Sequence, residues 1–195
     1  MLLEIVNLCI MVRKMNRLNK SLCYLCGAMD RVEDGGIGWR EYISTKLRDM
    51  NIGVLNPCDK PTHYAKEDSD FRDNIEKLKR AERFDLVAEA MKPIAAVDLR
   101  MVDICHFVIM SVDISVHMCG SYHESFVATN QKKPVLAMCA QGKENAPSWM
   151  FGVMPHDHIF GSWSELLEYL EHVNEDEHVD HLNRWRFFDW EKVYG

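Results

Sequence analysis

The chain has 195 residues, of which 47% are hydrophobic and 27% charged, with 10 glycines and 6 prolines. This composition is typical of one globular domain with a sizeable core, and it excludes collagen-like and largely disordered chains. The net charge of −7, from 23 basic and 30 acidic residues, argues against binding to a nucleic acid polymer or to an anionic membrane surface. We therefore expect a small molecule as the main ligand.

The cysteine count and the hydropathy pattern bear on the compartment. Seven cysteines are an odd number, and several lie in apolar runs, which indicates reduced, buried thiols in a cytoplasmic protein. No apolar run reaches the roughly 18 to 20 residues of a membrane span. We expect an N-terminal extension over residues 1–18, an α/β domain over 19–174 and an aromatic tail over 175–195.

In chain order, short apolar runs alternate with helical patterns, which predicts a parallel α/β sheet. The first strand is expected at 21–26, followed by a glycine-rich loop, a helix over 38–50 and a second strand at 52–55. Cys23 and Cys26 have the spacing of a redox pair. They lie within one strand, however, where their side chains point to opposite faces, so we expect no redox role.

The middle of the chain begins with a long polar segment, 56–70, which is compatible with a substrate lid or with disorder. A helical pattern follows over 71–102, and Pro93 predicts a break there and hence two helices. The almost wholly apolar segment 104–110 is typical of a central parallel strand buried on both faces.

The last third predicts a helix over 120–130, a strand over 133–138, a short strand at 159–160 and a helix over 162–173. Five of the last eleven residues are aromatic. Such side chains are costly to leave in water, so we expect the tail to pack on the domain or on a partner subunit of a homo-oligomer.

The segment Gly120-Ser121-Tyr122-His123-Glu124 follows the third strand, at the edge of the sheet where ligands bind in doubly wound folds. Its spacing is that of a capping box, in which Ser121 would be the N-cap and would accept the amide of Glu124. Alternatively, the Glu124 carboxylate lies in the first helical turn, where the helix field keeps it ionised and aimed into the crevice, as a nucleophile requires. The spacing alone is compatible with both interpretations.

Three motifs, in this order, resemble those of a known family. They are Tyr24-Leu25-Cys26-Gly27-Ala28-Met29, Asp98-Leu99 with Val102-Asp103, and Gly120-Ser121-x-x-Glu124 followed by Lys133-Pro134-Val135. The chain resembles the nucleoside 2-deoxyribosyltransferase superfamily, which includes nucleoside monophosphate N-glycosidases.

The resemblance implies a flavodoxin-like (Rossmann-like), doubly wound parallel sheet of about five strands flanked by helices. It also implies cleavage or exchange of the N-glycosidic bond of a nucleoside or nucleoside 5′-monophosphate, with no cofactor. Glu124 would be the nucleophile, Asp98 would assist the leaving base and Tyr24 would lie near the sugar. The alternative is a catalytically silent nucleotide-binding or sensing module of the same fold.

The remaining candidates would bind substrate. Met118 occupies the position at which the family carries an Asp or Ser for the 5′ group, so His117 or Arg31 would meet a 5′-phosphate. The substrate-binding candidates are Gly27, Met29, Arg31, Asp103, His117, Met118, Gly120 and Ser121. Histidines and cysteines near the third and fifth strands match no paired zinc-ligand spacing, so we expect no metal.

Overall fold

A parallel sheet of five strands in the order β2-β1-β3-β4-β5 organises the chain. The computed structural model describes residues 16–30, 32–175, 184–187 and 192–193. The strands are β1 (Leu22–Gly27), β2 (Gly53–Leu55), β3 (Phe107–Val112), β4 (Val135–Cys139) and β5 (Ile159–Phe160). Every strand pair is parallel, and the order is that of flavodoxin-like folds, with its switch point between β1 and β3. The predicted fold class is confirmed.

Helices cover both faces of this sheet. They are α1 (Ile37–Asp49), α2 (Ser69–Arg80), α3 (Phe84–Ile104), α4 (Cys119–Asn130), α5 (Ser148–Val153) and α6 (Trp163–Glu175). Ile43 of α1 and Leu166 of α6 belong to one core, while Val97 of α3, Ala128 of α4 and Met150 of α5 belong to the other. Helix α2 packs on α3. Within the described ranges, no helix has both the length and the apolar character that crossing a membrane requires.

Strand β1 alternates between the two cores, as a strand buried on both faces must. Cys23 and Leu25 lie in the core under α1 and α6, whereas Tyr24 and Cys26 lie in the core under α3 and α4. The prediction that Cys23 and Cys26 face opposite ways is confirmed. It is Tyr24 and Cys26 that point toward the helices of the predicted site.

The helical segment after the polar loop does form two helices, but the predicted break at Pro93 is wrong. The chain turns between α2 and α3, where Glu82 adopts a left-handed φ of 54°. Pro93 lies inside α3 and faces solvent, so water can satisfy the carbonyl of Glu89 that the proline ring leaves unbonded. The buried stripe from Ile94 to Val102 on the same helix stabilises it despite the proline.

The third strand begins later than the apolar run suggests. Helix α3 continues to Ile104, and the amide of Cys105 still donates to the carbonyl of Met101. The ladder to β1 starts with the amide of His106, which donates to the carbonyl of Leu22. The apolar run therefore contains the buried end of a helix followed by a strand, and periodicity alone does not separate the two.

Residues near both termini pack on the domain. Leu18, at the end of the predicted extension, is buried, and its amide donates to Asn174 Oδ1 at 2.9 Å. Trp185 is buried against Phe107, and its indole donates to the Tyr169 hydroxyl at 3.0 Å. Residues 1–15 and most of the tail lie outside the described residues, so the domain boundaries and the oligomeric state stay predictions.

Candidate active site

A buried arginine holds the turn that follows β1. Arg40 of α1 is 0% exposed, and its guanidinium donates to the carbonyls of Gly27 at 2.7 Å and Gly36 at 2.8 Å. Longer bonds reach the carbonyls of Leu25 and Ala28. Gly36 has a left-handed φ of 74°, and a side chain there would overlap both Arg40 and the Ala28 carbonyl. Arg40 therefore fixes the backbone at the carboxyl end of β1.

A cleft of about 240 Å³ opens beside this turn, between the carboxyl ends of β1 and β3. It brings together the three predicted catalytic residues, Tyr24, Asp98 and Glu124. Six predicted substrate-binding residues also line it, namely Gly27, Met29, His117, Met118, Gly120 and Ser121. The cleft lies at the switch point of the sheet, where doubly wound folds bind ligands.

Two predicted residues are not in this cleft. Asp103 does not line the cleft, because it lies in the last turn of α3, at the opposite end of the sheet. There its carboxylate accepts a hydrogen bond from Gln131 Nε2 at 2.7 Å. Arg100 lies 4.0 Å from its other oxygen. The structure therefore does not place Asp103, a predicted substrate-binding residue, at the cleft. Arg31 lies outside the described residues.

The capping-box interpretation of Glu124 is also corrected. Helix α4 begins at Cys119 with Met118 as its N-cap, and no side chain caps it. Ser121 is thus the third residue of the helix and Glu124 the sixth, beyond the turn in which the helix field is strongest. The expectation that this field keeps Glu124 ionised does not hold. Neither Ser121 nor Glu124 caps the helix.

Glu124 sits in a mostly buried environment. Its pKa is raised from 4.5 to about 7. Burial is the largest cause, a hydrogen bond from Cys26 opposes the rise, and the charge of Asp98 adds to it. The Cys26 thiol lies 3.2 Å from Glu124 Oε2. At neutral pH the carboxyl therefore lies near its midpoint, so both its charged and its neutral form are populated.

Tyr24 points from β1 into the same space. Its hydroxyl is fully buried and forms no hydrogen bond of normal geometry. Burial raises the pKa of Tyr24 well above 10, and the adjacent Glu124 carboxylate raises it further. The hydroxyl thus stays protonated and remains available to donate to Glu124 or to a bound ligand.

Asp98, in contrast, is held by a buried lysine that the sequence did not reveal. Lys60 Nζ lies 2.9 Å from Asp98 Oδ1 and 2.7 Å from Glu67 Oε1. Burial raises the pKa of Asp98, and the adjacent ammonium group of Lys60 opposes that rise. Burial acts to lower the pKa of Lys60, but its two carboxylate partners, Asp98 first, raise it overall. This ion-pair network ties the polar loop after β2 to α3 and forms one wall of the cleft.

The residues after β3 form the other wall. Met118 is 3% exposed, and its sulfur accepts the amide of Asp113 at 3.3 Å. Its side chain is therefore part of the core and presents no polar group to a ligand. His117 is exposed at the rim, and Gly120 has no atom within 4 Å of the position a Cβ would take, so ligand can approach the helix there.

A second cavity of about 490 Å³ adjoins the cleft and shares Met29, Pro57 and Glu67 with it. Its wall carries Lys66 and Arg72. No group of three or more His, Cys, Asp or Glu suited to a metal ion occurs in the part of the chain that the structure describes.

No protein-family model and no curated protein matches the sequence. Among solved structures, the 2-deoxyribosyltransferase of Bacillus psychrosaccharolyticus is similar with a TM-score of 0.51 and 12% identity, over 86% of this chain and 99% of that one. A CMP N-glycosidase from Clostridium botulinum has a TM-score of 0.45 and 13% identity, over 77% and 98% of the two chains. A 2-deoxyribosyltransferase from Leishmania mexicana has a TM-score of 0.47 and 12% identity, over 82% and 99%. The Bacillus enzyme shares the fold of this chain.

Proposed function

We propose that this chain cleaves or exchanges the N-glycosidic bond of a nucleoside or nucleoside 5′-monophosphate, with Glu124 as nucleophile. One observation carries the proposal: a mostly buried carboxyl group, unpaired with any cation in the described residues, lines the cleft at the carboxyl ends of β1 and β3 beside Tyr24 and Asp98. Burying a carboxyl group without a cation costs stability. A carboxyl group in a cleft whose pKa is shifted by burial is a candidate catalytic group, and the ionised form of Glu124, which is populated at neutral pH, is the form that would attack the sugar.

In the first step, an oxygen of the ionised Glu124 forms a bond to the anomeric carbon of the sugar while the bond from that carbon to the base breaks. The electron pair of the broken bond goes to the base nitrogen. The base takes up a proton and leaves as the free heterocycle, and the sugar remains as an ester of Glu124. The hydroxyl of Tyr24 lies beside Glu124 and supplies a donor to the carboxylate or the sugar.

In the second step, water or another base attacks the anomeric carbon and the ester bond to Glu124 breaks. Water loses a proton and gives the free sugar, which is hydrolysis, whereas a base loses a proton and gives a new nucleoside, which is transfer. Asp98, whose pKa is raised by burial, is positioned on the cleft wall to exchange a proton with the base. Lys60 holds its carboxylate in place.

The charge of the cleft bears on the substrate. Four carboxyl groups line it, those of Asp30, Glu67, Asp98 and Glu124, and no lysine or arginine among the described residues does. Negative charge stabilises the positive charge that develops on the sugar but opposes a 5′-phosphate within the cleft. The second cavity carries Lys66 and Arg72 but also Asp59, Glu67 and Asp68, so its charge does not decide between a nucleoside and a 5′-monophosphate, and both substrate classes belong in the test.

A catalytically silent binding module is the second candidate. It is favoured by the ion pair between Lys60 and Asp98, which engages the acid that would assist the leaving base. It is also favoured by the buried Met118, which presents no polar group at the position where the superfamily binds the 5′ substituent. Such a module would bind a nucleoside and release no base.

The test is a mass-spectrometric screen of the purified protein against pooled nucleosides and 5′-monophosphates, with and without an acceptor base. We expect free base or exchanged nucleoside from the wild type and neither from Glu124→Gln. Glu41→Gln, at an exposed glutamate of α1, is the matched control and should behave as wild type.

The products separate the candidates. Base release without exchange identifies a hydrolase, and exchange in excess of release identifies a transferase. A rise in melting temperature with one ligand, without any base released, supports the silent module. Full activity in Glu124→Gln would overturn the nucleophile assignment.

A further inference from the structure

The thiol of Cys26 contacts the carboxyl group of Glu124. Cys26 is 0% exposed and points from β1 toward α4. Its sulfur lies 3.2 Å from Glu124 Oε2 and 3.1 Å from the carbonyl oxygen of Ser121. Since a thiol has one proton, it donates to only one of these two acceptors at a time.

We propose that Cys26 is a positioning residue for Glu124: its thiol donates to Oε2, fixes the carboxylate and leaves Oε1 as the oxygen that attacks the anomeric carbon. This inference rests on the proposed function for its catalytic consequence. The hydrogen bond itself is independent of that function and can be tested without a substrate.

The two acceptors make the contact sensitive to the state of Glu124. When Glu124 is ionised, its oxygen carries negative charge and is the stronger acceptor, so the thiol donates to it. When Glu124 is protonated or esterified with a sugar, Oε2 is a weaker acceptor and the Ser121 carbonyl competes for the proton. Cys26 therefore stabilises the ionised carboxylate selectively, which is the form that begins the reaction.

The thiol acts as a donor here, rather than as a nucleophile. Burial raises the pKa of Cys26 well above 9, and the charge of Glu124 raises it further, so the thiolate that nucleophilic or redox chemistry needs does not form near neutral pH. Cys23, the one other cysteine of β1, lies in the opposite core and does not reach the site.

The chain offers matched variants for a test. Cys26→Ala removes the donor, and Cys26→Ser keeps a donor at the same position. Cys23→Ala leaves a cavity of the same size at a fully buried cysteine of the same strand, away from Glu124. Should Cys26→Ala not fold, Cys26→Val removes the donor while filling the space.

We expect kcat of Cys26→Ala to fall about tenfold at neutral pH, with the ascending limb of its pH–rate profile shifted up by roughly half to one pH unit. Cys26→Ser should restore part of both effects, with little change in KM in either variant. Cys23→Ala should lose stability as Cys26→Ala does but keep the wild-type pH profile. Equal pH profiles in wild type and Cys26→Ala would overturn the proposal.

The substrate-free arm is a titration of the Glu124 carboxyl by ¹³C NMR in protein labelled at its glutamate side chains, with Glu124→Gln to assign the signal. We expect a higher pKa in Cys26→Ala and a return toward wild type in Cys26→Ser. If the pKa of Glu124 is unchanged in folded Cys26→Ala, the positioning role is contradicted, even if the protein is an N-glycosidase. A raised pKa in a protein that releases no base supports the hydrogen bond and counts against the proposed function alone.

Discussion

The two ends of the parallel sheet hold their acidic side chains in different ways. At the carboxyl end, Glu124 is mostly buried and its carboxylate accepts a hydrogen bond from the thiol of Cys26. At the amino end, Asp103 is exposed and its carboxylate accepts from Gln131, while Lys133 donates to the backbone carbonyls of Val102 and Asp103. The first arrangement costs stability, whereas in the second the acid accepts its hydrogen bond at the surface. The difference favours the carboxyl end as the place of the proposed chemistry.

The largest expected effect comes from removing the carboxylate of the proposed nucleophile, Glu124. Glu124→Gln keeps the size of the side chain but cannot form the ester, so we expect base release to fall at least about a thousandfold. Single-turnover measurements with a radiolabelled nucleoside quantify the loss. Retention of more than a tenth of the wild-type rate would move the nucleophile to another residue.

The backbone at the carboxyl end depends on Arg40. Arg40→Met removes a buried guanidinium and leaves carbonyls of Gly27 and Gly36 without their donor. We expect the free energy of unfolding to fall by about 3 kcal/mol or more, as measured by urea denaturation. Arg48→Met, at an exposed position of the same helix, should change it by less than about 0.5 kcal/mol. Equal effects in the two variants would contradict the role of Arg40.

The cost of burying Glu124 should depend on pH. Its pKa is about 7 in the folded protein and 4.5 ordinarily, so the folded state binds this proton more tightly and loses stability as pH rises from about 4.5 to about 7. Glu124→Gln does not lose stability in this way, because its side-chain amide does not ionise. We expect the two proteins to differ by up to about 3 kcal/mol more at pH 8 than at pH 4.5, in favour of the variant.

Urea denaturation at both pH values measures this difference. Cys23→Ala, which removes no carboxyl group, should shift the stability by nearly the same amount at both. A Glu124→Gln protein that gains no stability at pH 8 relative to wild type would show that the Glu124 carboxyl is not the strained group at the carboxyl end.

Local sequence patterns predicted much of this arrangement. They could not predict contacts between residues that are far apart in the sequence. The position of the Gly-Ser-x-x-Glu motif after the third strand predicted Glu124 at the cleft, and the family resemblance predicted Tyr24 there. Lys60 lies in a polar loop and meets Asp98, far along the chain, so no local pattern links them. Arg40 occupies a helical position that, in sequence, is typical of a solvent-exposed arginine, although it is buried.

The spacing of the two aspartates on α3 indicates which of them can reach the cleft. Asp98 and Asp103 are five residues apart on one helix, which rotates them by about 140° and separates them by about 7.5 Å along the axis. Two residues so placed do not line one narrow cleft. Helical geometry alone therefore predicts that only one of them reaches the site.

Neutralising the paired aspartate tests the wall of the cleft. Asp98→Asn leaves the buried Lys60 with Glu67 as its one carboxylate partner. We expect the free energy of unfolding to fall by about 2 kcal/mol, because the ammonium loses half of its compensating charge. Urea denaturation of Asp98→Asn and of the double variant with Lys60→Met checks this, since the double variant should recover part of the loss. Strict additivity of the two substitutions would contradict the ion pair.

The smallest effect is expected at the amino end. Asp103→Asn keeps an oxygen that accepts from Gln131, and the Arg100 pair is long and exposed, so stability should change by less than about 0.5 kcal/mol. Base release should equal that of wild type, because Asp103 does not line the cleft. Compared with Asp98→Asn, this variant makes the same chemical change on the same helix at the other end of the sheet. A loss of activity in Asp103→Asn without a loss of stability would mean that the substrate reaches the amino end, and the assignment of the chemistry to one end would then be wrong.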